Sequence, residues 1–188
     1  MIRPQTGELH DYRGYAGEVI SGIYRKGDEI TVLPQNIRTI ISGIETGGKE
    51  VDMVFANQPA VLHIEDDIDI SRGDFLVKTE DLPKVENEIE AIVCWLDKKE
   101  LSEGSKYFIQ HKSKVLKAVI KEIEYKIDVN TLEKMPVTEN IKLNEVVKLR
   151  LKTSSPLVFD SFEDSRDTGN AILIDETGNS TVGAVMIL

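Results

Sequence analysis

The chain has 188 residues and a formal net charge of −10, from 23 basic and 33 acidic side chains. This acidity argues against unaided binding to nucleic acid and against attraction to an anionic membrane surface. With one cysteine, no apolar run of transmembrane length and no signal peptide, the sequence excludes an internal disulfide framework and predicts a cytoplasmic protein.

Short apolar runs separated by glycine-containing turns recur along the whole chain. These runs predict short strands, in chain order, at residues 30–33, 37–41, 60–64, 89–96, 107–110, 172–174 and 183–188. Alternation with period two is strict at 122–128 and 148–152, which is typical of half-buried strands. Many short strands joined by regular turns predict an all-β fold.

The segment 115–123 fits two patterns. Its apolar positions 115, 116, 119, 120 and 123 have the spacing of a helical stripe. However, β-branched residues dominate the segment and strict alternation takes over from Glu122, which favours a strand. We predict a strand pair here, with a helix as the alternative.

A polar stretch at residues 79–86 separates two strand-rich blocks. It contains Pro83, which cannot donate a hydrogen bond to a strand ladder, and domain boundaries fall in such stretches. We therefore predict two consecutive small β-barrels, at residues 1–80 and 87–188, with a linker at 81–86.

Residues 43–50 nearly match the consensus motif of a phosphate-binding loop. Gly43, Gly48 and Lys49 have the required spacing, but Glu50 stands where a serine or threonine would hold magnesium. A carboxylate there repels phosphate, and no convincing helix follows to receive the anion. The segment is predicted to be a glycine-rich hairpin turn.

No other motif forms a catalytic centre. The acidic run at 65–69 lacks the spacing of a calcium loop and is interpreted as solvated charge. His10, His63 and His111 are scattered without zinc-site spacing, and Cys94 beside Trp95 is interpreted as core. We expect no catalytic residue, no cofactor-binding residue and no metal ligand in this chain.

Two segments carry the aromatic and arginine residues that interfaces favour. Residues 159–169 combine two phenylalanines and alternating charges with a single arginine, and a similar cluster lies near the N-terminus. The candidate partner-contact residues are Arg13, Tyr15, Asp164 and Arg166. Two ordinary polar loops are the alternative.

Several segments together resemble one protein family. Arg-Gly-Tyr-Ala-Gly at 13–17 is similar to the start of the barrel that follows the G domain in translation-factor GTPases. The more telling segments are 65–74, 128–133 (Asp-Val-Asn-Thr-Leu-Glu), and 165–169 followed by Ile-Leu-Ile-Asp at 172–175. With these, the chain resembles the C-terminal two β-barrel domains, elongation factor Tu-like domains II and III, of the large GTPase subunit of sulfate adenylyltransferase (ATP sulfurylase).

The resemblance implies a parent protein that hydrolyses GTP and couples it to adenylyl sulfate synthesis from ATP and sulfate. GTP and magnesium are then expected in a G domain that this sequence lacks. The implied partners are the small catalytic subunit and the protein's own G domain, and the chain alone is expected to be inactive. The alternatives are the barrel region of another translation-type GTPase that binds tRNA or the ribosome, and a stand-alone protein-interaction module.

Overall fold

Every regular element among residues 12–188, which the computed structural model describes, is a β-strand. The all-β prediction is therefore confirmed. The described chain divides between Leu82 and Pro83 into two compact units. Over the same residues there is no helix of the length and apolarity needed to cross a membrane.

The first unit contains eight strands. They are β1 (Tyr15–Glu18), β2 (Ile23–Arg25), β3 (Glu29–Leu33), β4 (Ile37–Thr46), β5 (Lys49–Glu50), β6 (Met53–Phe55), β7 (Pro59–Ile64) and β8 (Phe75–Lys78). One sheet has the order β1-β7-β4-β3-β8, with β5 paired to β4, while β2 and β6 form a two-stranded ribbon. Two apolar clusters fill the unit, one around Ile41 and Ile44 and the other around Tyr15 and Ile68.

The second unit is a closed β-barrel. Its strands are β9 (Lys84–Trp95), β10 (Lys106–His111), β11 (Lys114–Ile127), β12 (Lys134–Met135), β13 (Val146–Phe159), β14 (Asn170–Ile174) and β15 (Thr181–Ile187). The order β10-β14-β15-β9-β13-β11 closes because β11 also pairs with β10, and β12 extends the sheet beyond β11. Trp95, Leu149 and Leu173 are among the fully buried side chains that fill the interior.

The ambiguous segment 115–123 lies within the single continuous strand β11, so its β conformation is confirmed and the helix is excluded, whereas the predicted break into a strand pair is wrong. Ala118 and Ile120 point into the core, whereas Lys117 and Lys121 are exposed. The strand pairs with β10 on one side and β13 on the other. Pairing on both sides requires an extended backbone, and β-branched side chains suit that conformation.

Strand β9 extends into the polar stretch between the two strand-rich blocks. Strand β9 starts at Lys84, inside the stretch 81–86 that was predicted as linker, and its first residues pair with 157–159 of β13. Residues 84–88 are exposed on both faces, so they show no apolar alternation that would reveal a strand. Pro83, which lacks an N–H, is the last residue before the ladder.

A cross-strand ladder of ion pairs covers part of the outer face of this barrel. Lys148 Nζ of β13 lies 2.9 Å from Glu90 Oε2 of β9 and 3.0 Å from Glu124 Oε2 of β11. Arg150, two residues along β13, lies 3.3 Å from Glu122 and within 3.8 Å of Glu90 and Glu124. Since alternate residues of a strand share one face, the central strand supplies the bases and its neighbours supply the acids. These charges are paired within the barrel, so we assign this face to stability.

The ladder shifts the pKa values of its members. The hydrogen bonds to Glu90 and then Glu124 raise the pKa of Lys148 from 10.5 to about 12. The hydrogen bond from Lys148 lowers the pKa of Glu90. A lowered carboxyl pKa stabilises the fold above the unfolded-state pKa, and this stabilisation is lost as the pH falls through the folded-state pKa. A raised lysine pKa stabilises below the unfolded-state pKa and is lost as the pH rises towards 12.

We predict that Lys148→Met lowers the free energy of unfolding of the second unit by about 1 kcal/mol at pH 7. The difference from wild type should shrink at pH 3, because protonated carboxyls no longer attract the lysine. Urea unfolding followed by the fluorescence of Trp95, the single tryptophan, reports on this unit. Lys121→Met, an exposed lysine of β11 outside the ladder, is the control. An equal loss at both pH values would contradict the ladder's role.

Candidate partner-contact surfaces

The two N-terminal candidates converge on one backbone carbonyl. The Tyr15 hydroxyl donates to the Ile68 carbonyl at 2.7 Å, and Arg13 Nη2 donates to the same oxygen at 2.7 Å. The Arg13 guanidinium also pairs with Asp67 and lies 5.6 Å from the centroid of the Tyr15 ring. Together these contacts fasten the loop at 65–70 to the start of β1.

Tyr15 lies inside the first unit. Its residue surface is 5% exposed, and it packs with Val32, Ile68 and Ile70 in the core of the first unit. Arg13 keeps 18% of its side chain exposed, and its recorded contacts lie within the same unit. From the sequence alone, an arginine next to a tyrosine that contacts a partner cannot be distinguished from one that contacts a neighbouring loop of the same chain. The Ile68 carbonyl that accepts from both side chains is more than 50 residues away along the chain, so the sequence does not reveal this contact. Contact of Arg13 and Tyr15 with a partner stays a prediction.

A polar network surrounds His63 on β7. Its Nδ1 lies 2.8 Å from the Arg13 carbonyl oxygen, and its Nε2 lies 2.8 Å from Glu45 Oε1 on β4. The Tyr12 ring stands edge-on to the imidazole at 4.9 Å, and burial together with a hydrogen bond to Glu45 raises the pKa of the Tyr12 hydroxyl. Sequence reasoning missed this network because its members come from three distant segments. Both imidazole nitrogens are engaged, so we assign the network a structural role.

The near-phosphate loop is a hairpin. Strands β4 and β5 pair through Thr46 and Lys49, and the two residues between them, Gly47 and Gly48, have φ values of 58° and 75°. Positive φ at both central residues is the mark of a two-residue hairpin turn that favours glycine. Glu50 pairs with Lys26 at 3.5 Å. No phosphate cradle forms at residues 43–50, so they do not fit GTP and magnesium, and the predicted hairpin turn is confirmed.

The remaining metal candidates do not converge. Asp67, in the acidic run, pairs with Arg13. His63 and His111 belong to different units, and His10 lies outside the described residues. Over residues 12–188 no three histidine, cysteine, aspartate or glutamate side chains are grouped so that they could hold a metal ion.

Residues 160–169, which we call the 160–169 loop, connect β13 to β14 and contain the other two candidates. The Ser165 N–H donates to the Ser161 carbonyl at 2.9 Å, and the Gly169 N–H donates to the Ser165 carbonyl at 2.8 Å. At Gly169 the chain passes so close to Phe162 that a Cβ would lie 2.4 Å from the Phe162 Cα. Only glycine therefore allows the loop to close in this way.

His111, the last residue of β10, holds the 160–169 loop from the inside. Its fully buried ring donates from Nε2 to the Thr168 carbonyl at 2.8 Å, which requires the proton on that nitrogen. Burial lowers the pKa of His111, so the neutral ring is favoured. On the outside, Lys112 Nζ lies 3.5 Å from Asp167. The loop is thus fixed at adjacent residues from two directions.

Asp164 and Arg166 differ in how their side chains are used. The Ser161 hydroxyl donates to Asp164 Oδ2 at 2.6 Å, and the Asp164 N–H donates back to the Ser161 oxygen at 3.1 Å. Asp164 therefore shapes the loop. Arg166 is exposed, and its guanidinium lies 6.0 Å from the centroid of the half-buried Phe162 ring. The structure brings Arg13 and Tyr15 together and places Asp164 and Arg166, both exposed, on one fixed loop. The Asp164 carboxylate is engaged by Ser161 within the loop, whereas the Arg166 charge has no such partner among the described contacts. The contact of these residues with a partner stays a prediction.

Comparison with known proteins shows which proteins this chain is similar to in sequence. A family model described as GTP-eEF1A C-terminal domain-like matches residues 88–188. The bifunctional enzyme CysN/CysC of Mycobacterium tuberculosis is 40% identical over 100% of this chain and 31% of its own length. Sulfate adenylyltransferase subunit 1 of Shewanella oneidensis is 38% identical over 95% of this chain and 38% of its own length. The chain therefore spans about a third of the length of these curated relatives.

Solved structures of translation factors share the fold. Sup35 complexed with GDP has a TM-score of 0.84 at 18% identity, over 94% of this chain and 45% of that chain. Elongation factor SelB from Methanococcus maripaludis has a TM-score of 0.73 at 20% identity, over 92% of this chain and 38% of that chain. At these identities the likeness concerns the fold alone. It confirms the predicted pair of translation-factor-type β-barrels.

We predict that Tyr15→Phe destabilises the first unit by about 1 kcal/mol, because the buried Ile68 carbonyl loses one of its two side-chain donors. Tyr24→Phe is the matched control, since the Tyr24 hydroxyl lies 3.4 Å from the Leu76 carbonyl and its removal should cost much less. Hydrogen exchange of the amides in residues 12–82 measures both. Equal losses for the two variants would contradict the assigned role of Tyr15.

Proposed function

This chain belongs to the GTP-eEF1A C-terminal domain-like family, and we propose that it is the non-catalytic barrel region of the GTPase subunit of a sulfate adenylyltransferase. The observation that carries the proposal is the 38% identity to sulfate adenylyltransferase subunit 1 over 95% of the chain. The parent protein would couple GTP hydrolysis to the synthesis of adenylyl sulfate from ATP and sulfate, in the cytoplasm.

The barrels would act as the mechanical connection between two chemical sites. Adenylyl sulfate formation is unfavourable because the phosphosulfate anhydride is energy-rich, so the reaction needs a second source of free energy. A nucleotide state can influence a distant site only through contacts that differ between the two states. A closed barrel suits this task, because its paired strands and packed interior move as a body.

The partners in this proposal are a G domain and a small catalytic subunit. Relatives of this chain are designated subunit 1, which implies a second subunit in those enzymes. GTP and magnesium would bind in the G domain of the full-length protein. The hairpin at residues 43–50 supports this division of labour, since the segment that most resembles a phosphate-binding loop does not form one.

We expect the isolated chain to release neither phosphate from GTP nor pyrophosphate from ATP and sulfate. The physical reason is that residues 43–50 form a hairpin turn instead of a phosphate-binding loop, and that no three histidine, cysteine, aspartate or glutamate side chains among residues 12–188 are grouped to hold a metal ion. Coupled assays for the two products measure this, with the full-length GTPase subunit and its small subunit as the positive control. Saturable GTP turnover by the pure chain would overturn the non-catalytic assignment.

We predict that the chain binds the small sulfate adenylyltransferase subunit of the same organism and that Arg166→Glu weakens this binding about tenfold. The exposed guanidinium sits on a fixed loop, so its charge is reversed without unfolding the barrel. Arg72→Glu, at an exposed arginine of the first unit, is the matched control. Titration calorimetry with both variants measures the effect. Failure of the wild-type chain to bind would contradict the proposed partner, and equal binding by Arg166→Glu would remove Arg166 from the interface.

A further inference from the structure

The side chain of His63 on β7 lies between two groups that can only accept a hydrogen bond. Its Nδ1 is 2.8 Å from the Arg13 carbonyl oxygen, and its Nε2 is 2.8 Å from Glu45 Oε1. A backbone carbonyl and an ionised carboxylate have no proton to donate, and a neutral imidazole has a single N–H. Hydrogen bonds to both acceptors therefore require a proton on both ring nitrogens, so the geometry is that of a charged His63.

Glu45 is the ionised member of this pair. The Tyr12 hydroxyl also hydrogen-bonds to Glu45, and burial together with this hydrogen bond and the charge of Glu45 raises the pKa of Tyr12. The carboxylate thus accepts from two side chains, which favours its ionised form. The ordinary pKa of a histidine, about 6.5, is also higher than that of a glutamate, about 4.3, so a proton shared by the two belongs on the ring.

The register of the sheet and one glycine bring these groups together. Glu45 of β4 pairs with Val61, two residues before His63 on β7, so Glu45 and His63 are diagonal neighbours on one face of the sheet. Gly14 lets the chain before β1 pass close to β7, because a Cβ at this position would lie 2.5 Å from Val61 Cγ1. This close approach places the Arg13 carbonyl against the ring.

The other charged groups recorded near the ring already have partners. Glu50 of β5 lies directly opposite Glu45, but Lys26 lies 3.5 Å from its carboxylate. The Arg13 guanidinium, from the segment before β1, is paired with Asp67. Strand β7 itself contains no second titratable residue. The histidine and Glu45 therefore form the pair whose charge can change above about pH 5.

We propose that His63 is a proton-dependent latch that fastens the chain before β1 to the sheet of the first unit. When the ring loses one proton to solvent, the remaining N–H stays at Nε2, because a hydrogen bond to a carboxylate is stronger than one to a carbonyl. Nδ1 then presents a lone pair to the Arg13 carbonyl, and this contact becomes repulsive. The inference concerns this chain alone and does not depend on the proposed function.

Opening of the latch extends to the loop at 65–70. The Arg13 side chain and the Tyr15 hydroxyl both donate to the Ile68 carbonyl, so release of the Arg13 backbone weakens the hold on this loop. The His63 side chain is 22% exposed, which allows its proton to exchange with solvent. Histidines change charge between about pH 5 and 8. The latch is therefore closed at the acidic end of this range and opens as the pH rises.

The test is nitrogen-15 NMR of the histidine rings of the whole chain, together with hydrogen exchange, at about pH 5.5 and about pH 8.5. Both ring nitrogens of His63 should carry a proton at the lower pH, and only Nε2 at the higher pH. After correction for the intrinsic effect of pH on exchange, the amides of β1 and of residues 65–70 should exchange about tenfold faster at the higher pH, as expected for a lost hydrogen bond.

Two controls accompany the test. His63→Gln identifies the His63 signals and has no ring to titrate, so exchange in this variant should not change with pH after the same correction. His111 is the internal control, because its ring is buried and burial lowers its pKa. Its ring should keep a single proton, on Nε2, throughout the range.

The other outcomes overturn the inference. A single N–H on His63 at about pH 5.5 would mean that the ring satisfies only one acceptor, so no latch exists. A ring that titrates while exchange in β1 and residues 65–70 stays constant would carry a charge that fastens nothing. An equal rise of exchange with pH in His63→Gln would assign the change to another group. Should His63→Gln fail to fold, the ring signals and the exchange of the wild-type chain decide between these results.

Discussion

The pairing of β10 with β11 is the constraint on which the second unit depends. It closes six strands into a ring, and each strand must then turn one row of side chains inward and the other outward. Neighbours in sequence are separated by this rule: Trp95 lies in the core, while Cys94, interpreted from the sequence as core, is half-buried on the opposite face of β9. The outward rows satisfy their charges across strands, as Lys148 does with Glu90 and Glu124. Irregular backbone is left to the ends of the barrel.

Polar groups hold the irregular segments in both units. His111 fixes the 160–169 loop through Thr168, and Asp128 closes the turn between β11 and β12. In the first unit Arg13 and Tyr15 hold the acidic loop through a single carbonyl. Loops ordered in this way present their side chains in fixed positions. This property suits a protein whose proposed task is to transmit the state of one partner to another.

The sequence predicts the parts of this structure that depend on local pattern. Alternation of apolar and polar residues identified β11 although its apolar positions also fit a helix. The glycine pair at 47–48 identified a hairpin turn in a segment that nearly matches a phosphate-binding loop. The sequence does not reveal contacts with distant residues, such as the hydrogen bond of Tyr15 to Ile68 and the contacts of His63 with Glu45 and Arg13. The start of β9 leaves no pattern in the sequence for a different reason, since its first residues pair with β13 while both of their faces remain exposed.

The distinction between a structural and a contact side chain lies in where its interactions go. The ladder on the outer barrel face consists of charges that already have partners in the fold, so a second protein would have to break those pairs before it gained from them. Arg166 is in the opposite situation, because its guanidinium is exposed and its recorded contact is the ring of Phe162. By this reasoning, the charged face that looks most like a binding surface is the less suitable one, because a partner at Arg166 could gain a charge pair without first breaking one.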